Sequence, residues 1–153
     1  MCTPHAIADL GLGVTIAEGD PNDAAAIEGE LLRSLRSALP QSENTSIVLI
    51  IDNGSDGLVG GLTASTSYGW MLVKTLWIAE SERGKGYARA LMRNAEERAR
   101  ALGCHGAWLD TSNPAARRFY AQLGYQSFGQ LENADGQHPP SHRRWFMKKH
   151  LTD

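Results

Sequence analysis

The six residues Arg83-Gly84-Lys85-Gly86-Tyr87-Ala88 combine two cations with two glycines, and a helical pattern begins at once behind them. The first N–H groups of a helix have no partners within it, and a glycine loop adds main-chain donors aimed at the same spot. Glycine also omits the Cβ that would hold a ligand off the backbone. Such a cradle suits a phosphate. Its spacing narrows the choice, because a dinucleotide site needs G-x-G-x-x-G and a P-loop needs G-x-x-x-x-G-K-[ST]. The stretch matches neither and reads Arg-x-x-Gly-x-Ala.

A second group of residues runs from Asn113 to Tyr125, as Asn-Pro-Ala-Ala-Arg-Arg-Phe-Tyr-Ala-Gln-Leu-Gly-Tyr. A helix and a strand separate the two segments. Together they resemble the GNAT superfamily of N-acetyltransferases, whose patterns are Gln/Arg-x-x-Gly-x-Gly/Ala and then Asn-x-x-Ala-x-x-Phe-Tyr-x-x-x-Gly-Tyr/Phe. The likeness is close over the middle third of the chain and holds elsewhere by element order. It points to the stand-alone bacterial members of unassigned acceptor.

The resemblance implies acetyl-CoA as acyl donor and a primary amine as acceptor, joined by direct attack in a ternary complex. Main-chain groups of Leu76, Trp77 and Ile78 would hold the pantetheine arm, with the Ile78 N–H as oxyanion donor. The loop amides of Gly84, Lys85, Gly86, Tyr87, Ala88 and Arg89 would hold the diphosphate, with charge from Arg83 and Lys85. Asn113 and Phe119 complete the donor site. Tyr120 falls on the family's general-acid position, and its phenol, ordinarily titrating near pH 10, keeps a proton for a thiolate whose acid has a pKa of about 8.5. A core tyrosine would occupy the same stripe. For the general base, Glu80 ranks first and Asp110 second, with His142 third for its imidazole. The acceptor is a small-molecule amine or a peptide N-terminus, its pocket bordered by Tyr68, Trp70, Trp77, Trp145 and the loop from Asn133 to His142. The alternative reading is a non-catalytic acyl-CoA-binding or sensing module that kept the cradle.

The composition sets outer bounds. The chain has 153 residues, which suits a single domain spanning 1–153. Hydrophobic residues at 42% and charged ones at 21% are ordinary for a soluble globular protein. A formal net charge of -2 gives no basic field for nucleic acid. The two cysteines, Cys2 and Cys104, lack metal-ligand spacing, and no metal is expected. Free thiols, the absence of a signal-like start and of any membrane-length apolar run fit a cytoplasmic protein away from membranes. A homodimer is left open.

Around these residues the pattern predicts a strand at Val14–Ala17, then a helix capped by Asp20 with Ile27, Leu31, Leu32 and Leu35 as its core stripe. Residues 1 to 12 carry little signal, and residues 40 to 45 read as a linker. A hairpin joins strands 46–51 and 58–65, whose Gly60 and Gly61 suggest a bulge or a close backbone approach. Strand 71–78 leads into the glycine loop. The helix behind it turns Ala88, Leu91, Met92, Ala95, Ala99 and Leu102 to the core, pairs Arg93 with Glu97 and Glu96 with Arg100 outside, and stops at Gly103. The predicted order is β-α-β-β-β-α-β-α-β-β. By resemblance the fold class is α/β (α+β), a mixed, mostly antiparallel sheet with a splayed central parallel pair and helices on both faces.

Overall fold

Burial that alternates residue by residue along the strands sets the frame of the protein, described here from a computed structural model over residues 6–38, 44–55 and 57–152. Two compact units divide the chain, residues 1–42 and 43–153. Cys2, Asp56 and residues 40–43 of the expected linker lie outside the described residues.

In the first unit, β1 (Ala6–Gly11) pairs antiparallel with β2 (Val14–Ala17). The sequence pattern missed β1, a short strand whose partner lies across a two-residue turn. Helix α1 (Pro21–Ala38) follows. Asp20 Oδ1 accepts from Asn22 N at 2.8 Å and Asp23 N at 3.0 Å, while Asp23 Oδ2 accepts from Asp20 N at 2.8 Å. That reciprocal cap, with Pro21 in the first turn, fixes the helix start. Ile27, Leu31, Leu32 and Leu35 recur along α1 at the expected spacing, and within this unit no α1 residue is buried.

The second unit holds a six-stranded sheet in the order β3-β4-β5-β6-β8-β7. The strands are β3 (Thr45–Asp52), β4 (Leu58–Ser67), β5 (Trp70–Ile78), β6 (Gly106–Thr111), β7 (Gln126–Glu132) and β8 (Arg143–His150). All neighbours are antiparallel except β5 and β6, which the crossover helix α2 (Tyr87–Ala101) joins in parallel. Helix α3 (Pro114–Gln122) links β6 to β7. Leu91, Met92, Ala95 and Ala99 of α2 share one buried cluster with Leu62, Met71, Leu109, Met147 and the α3 residue Tyr120, so both helices cover the same face.

Two departures from the expected pattern matter for packing. Leu102 is 49% exposed. Glu96 faces inward rather than toward Arg100. Its carboxylate accepts from Lys149 Nζ at 2.9 and 3.1 Å and from the Tyr125 hydroxyl at 3.1 Å, which is what makes its burial tolerable.

The parallel pair is short. Only Trp70, Met71 and Leu72 face Gly106, Ala107 and Trp108, while β5 continues to Ile78 and β6 to Thr111. The β4–β5 register skips Lys74, since Thr63 pairs with Thr75 and Ala64 with Val73. A bulge there bends β5 just where it leaves β6, which accounts for the parting. The close approach expected at the β4 glycines is present too. A Cβ on Gly60 would stand 2.7 Å from Ile78 Cδ1 and 2.9 Å from the Trp77 carbonyl.

Candidate active site

Of the three described helices, α2 alone starts at a residue with no side chain. Asp20 caps α1, and Asn113 caps α3 by accepting from Ala115 N at 2.9 Å and Ala116 N at 3.4 Å. The α2 cap is Gly86, at φ 84, and it offers nothing. The first bond of the helix runs from Ala90 N to Gly86 O at 3.1 Å, so the N–H groups of Tyr87, Ala88 and Arg89 precede the ladder. Gly84 is left-handed as well, at φ 80, and a Cβ on either glycine would meet open space. The hollow in front is a cleft of ≈ 260 Å³ lined by Ile78, Glu82, Arg83, Gly84, Gly86, Tyr87, Ala88, Arg89 and Phe119. Lys85 is not on its wall. Its ammonium bonds Glu82 Oε2 at 2.6 Å, and that hydrogen bond and charge raise its pKa.

A second cleft, of ≈ 380 Å³, follows the parted end of β5. Leu76, Trp77, Ile78, Arg83, Ala88, Asn113, Ala115, Ala116, Phe119 and Tyr120 line it. Ile78, Arg83, Ala88 and Phe119 belong to both clefts, so one opens into the other. Arg83 Nε donates to the Ile78 carbonyl at 3.1 Å, which ties the loop to the end of β5. Asn113 uses only Oδ1 as cap and has Nδ2 left to donate. Tyr120 packs edge-on against Phe119 and Tyr125. Burial raises its phenol above the ordinary tyrosine value, which keeps the proton on oxygen.

The three proposed bases separate in space. Glu80 is exposed in a short 3-10 turn, Glu80–Glu82, and lines neither cleft. Asp110 is ion-paired with Arg144 at 3.1 Å and also lines neither. His142 lines a third, mainly polar cleft of ≈ 380 Å³ with Ser112, Glu132, Asn133, Asp135, Ser141, Arg143 and Trp145. The expected pocket border from Asn133 to His142 meets Trp145 in this cleft, because β7 and β8 pair and bring 132–135 against 141–145, which no local pattern specifies. The other expected acceptor aromatics divide as well. Trp77 stays at the slot, whereas Tyr68 and Trp70 join Trp108, Phe128 and Phe146 in an apolar groove of ≈ 540 Å³. Among the described residues no group of three or more His, Cys, Asp or Glu could hold a metal ion.

The model of the acetyltransferase (GNAT) family matches residues 18–125 of this chain. The chain belongs to the GNAT family. An acetyltransferase from Agrobacterium fabrum is 36% identical over 112 residues, covering 73% of this chain and 82% of that protein. The blasticidin-S acetyltransferase of Streptomyces morookaense is 32% identical over 95 residues, covering 61% and 67%. Among solved structures, an acetyltransferase from Bacillus cereus aligns with a TM-score of 0.74 at 26% identity, over 89% of this chain and 96% of that one. The protein is therefore an acyltransferase with the mixed GNAT sheet and its parted parallel pair. The alternative of a non-catalytic sensing module gains no support.

Proposed function

We propose that this GNAT protein transfers the acetyl group of acetyl-CoA to a primary amine by direct attack, with both substrates bound. The observation that carries this reading is the junction of the two clefts. An anion cradle opens straight into a slot between diverging strands, and a buried tyrosine stands on the wall of that slot. The uncapped N–H groups of Tyr87, Ala88 and Arg89 suit the diphosphate, as does the Arg83 side chain. The β5 main chain from Leu76 to Ile78 suits the amide-bearing arm, and Asn113 Nδ2 can donate to it. Bound acetyl-CoA supplies a carbonyl activated by a thiolate leaving group.

The Ile78 N–H is the proposed donor to the oxyanion, and one such donor contributes about 3 kcal/mol to lowering the barrier. Tyr120 gives its proton to the departing sulfur, a task that a neutral phenol held by burial can perform. The acceptor enters from the polar cleft next to Asn113, as a small-molecule amine or a peptide N-terminus. Thiol release from acetyl-CoA with polyamines, aminoglycosides, amino acids and peptides tests the proposal. Release that depends on an amine is the expected result. Tight acetyl-CoA binding with no release above the amine-free rate would sink it.

A further inference from the structure

We infer that His142, held against Ser112 in the polar cleft, takes the proton from the attacking amine. This rests on the acetyl-transfer reading above. Ser112 of the polar cleft directly precedes Asn113, which lines the slot with Tyr120, so the two clefts flank the same short stretch of chain just beyond β6.

The His142 N–H donates to the Pro139 carbonyl at 3.3 Å, and its own carbonyl accepts from Asn133 N at 2.9 Å. Asn133 Nδ2 closes the loop by donating to the Pro139 carbonyl at 2.9 Å. The imidazole thus sits on a tied neck rather than on a loose loop tip.

His142 Nε2 lies 3.5 Å from Ser112 Oγ, a long contact of the kind that tightens when substrate seats. A neutral imidazole carries one ring nitrogen with a free lone pair, which can receive a proton. The charged groups sharing its cleft are Glu132, Asp135 and Arg143, with Arg117 stacked on Trp145 at 4.7 Å. Arg143 answers Glu132 at 2.8 Å. Asp135 has no ion pair among the described residues, and its charge favours entry of an alkylammonium. The rival carboxylates are worse placed, since Arg144 already engages Asp110 and Glu80 lines none of the three clefts.

The protons balance. The alkylammonium nitrogen gives one proton to His142 Nε2, and its freed lone pair forms the N–C bond at the thioester carbonyl. The C–S bond breaks, sulfur takes the Tyr120 proton, and the surplus proton on the new amide nitrogen returns to the phenolate. One proton remains on His142 and leaves to solvent.

His142→Gln and Ser112→Ala are tested with acetyl-CoA and butylamine as the probe, after melting curves show that the variants fold. Thiol release is followed across pH, acetyl-CoA affinity by calorimetry, and the imidazole by proton NMR, assigned through its loss in His142→Gln. In His142→Gln, kcat/KM falls about 100-fold, as for loss of a general base, and the limb between pH about 5 and 8 disappears. Acetyl-CoA affinity holds within about twofold. Butylamine shifts the wild-type imidazole titration in the CoA complex. A variant that keeps wild-type rates and the same limb, with wild-type enzyme active, overturns this inference alone. A wild type that binds acetyl-CoA yet shows no amine-dependent release overturns the transfer reading and this one with it.

Discussion

Only 9% of Tyr120 is exposed, and the same burial that makes it part of the core makes it a better-kept acid. Replacing it with Phe removes one hydroxyl and little volume. Turnover in Tyr120→Phe should fall about 100-fold by thiol release, while acetyl-CoA affinity measured by calorimetry barely moves. The pH dependence follows from the raised pKa values. Tyr120 and Tyr125 are both shifted upward by burial, Tyr125 also by the Glu96 carboxylate. Above pH about 10 the unfolded chain loses phenolic protons that the folded chain keeps. Their contribution to stability is therefore intact below that pH and declines above it. Urea midpoints at pH about 8 and about 10.5 should show the drop, smaller in Tyr125→Phe than in the wild type. At this scale the sequence was informative wherever local geometry needs one residue type, as with Gly84, Gly86 and the cap Asn113. Lys85 shows the limit, because its identity alone does not say whether it meets a ligand or Glu82.

Elements explain why one helix start is exposed as a donor surface. A side chain that capped α2 would occupy the N–H groups proposed to hold the diphosphate, and with Gly86 as cap the helix forgoes that local stabilisation. Gly86→Ala should lower stability by about 1–2 kcal/mol through its left-handed backbone and should weaken acetyl-CoA binding, read by chemical denaturation and calorimetry. The element order was largely legible from periodicity and glycine punctuation, because α2 and the β3–β4 hairpin are specified within their own stretches. The bulge was not. Lysine has no turn chemistry, and Lys74 becomes the extra residue only once β5 is laid against β4. The inward turn of Glu96 was hidden for a similar reason, since its partners are Tyr125, just before β7, and Lys149 of β8. Glu96→Ala should cost about 3 kcal/mol in a denaturation experiment by leaving Lys149 without its partner.

For the molecule as a whole, a net charge of -2 means that recognition of an anionic donor falls to local main-chain dipoles rather than to a general field. Acetyl-CoA at a hundred times its dissociation constant should stabilise the fold by about 2.7 kcal/mol, visible as a higher melting temperature. The parted strands carry a further consequence. Beyond Leu72 the open flank of β5 is a strip of peptide groups, and peptide groups are common to nearly every amino acid. Drift at Leu76 or Trp77 can remodel the walls of the slot without erasing the proposed footing of the donor. Proline is the exception, since it alone removes an N–H from the strip.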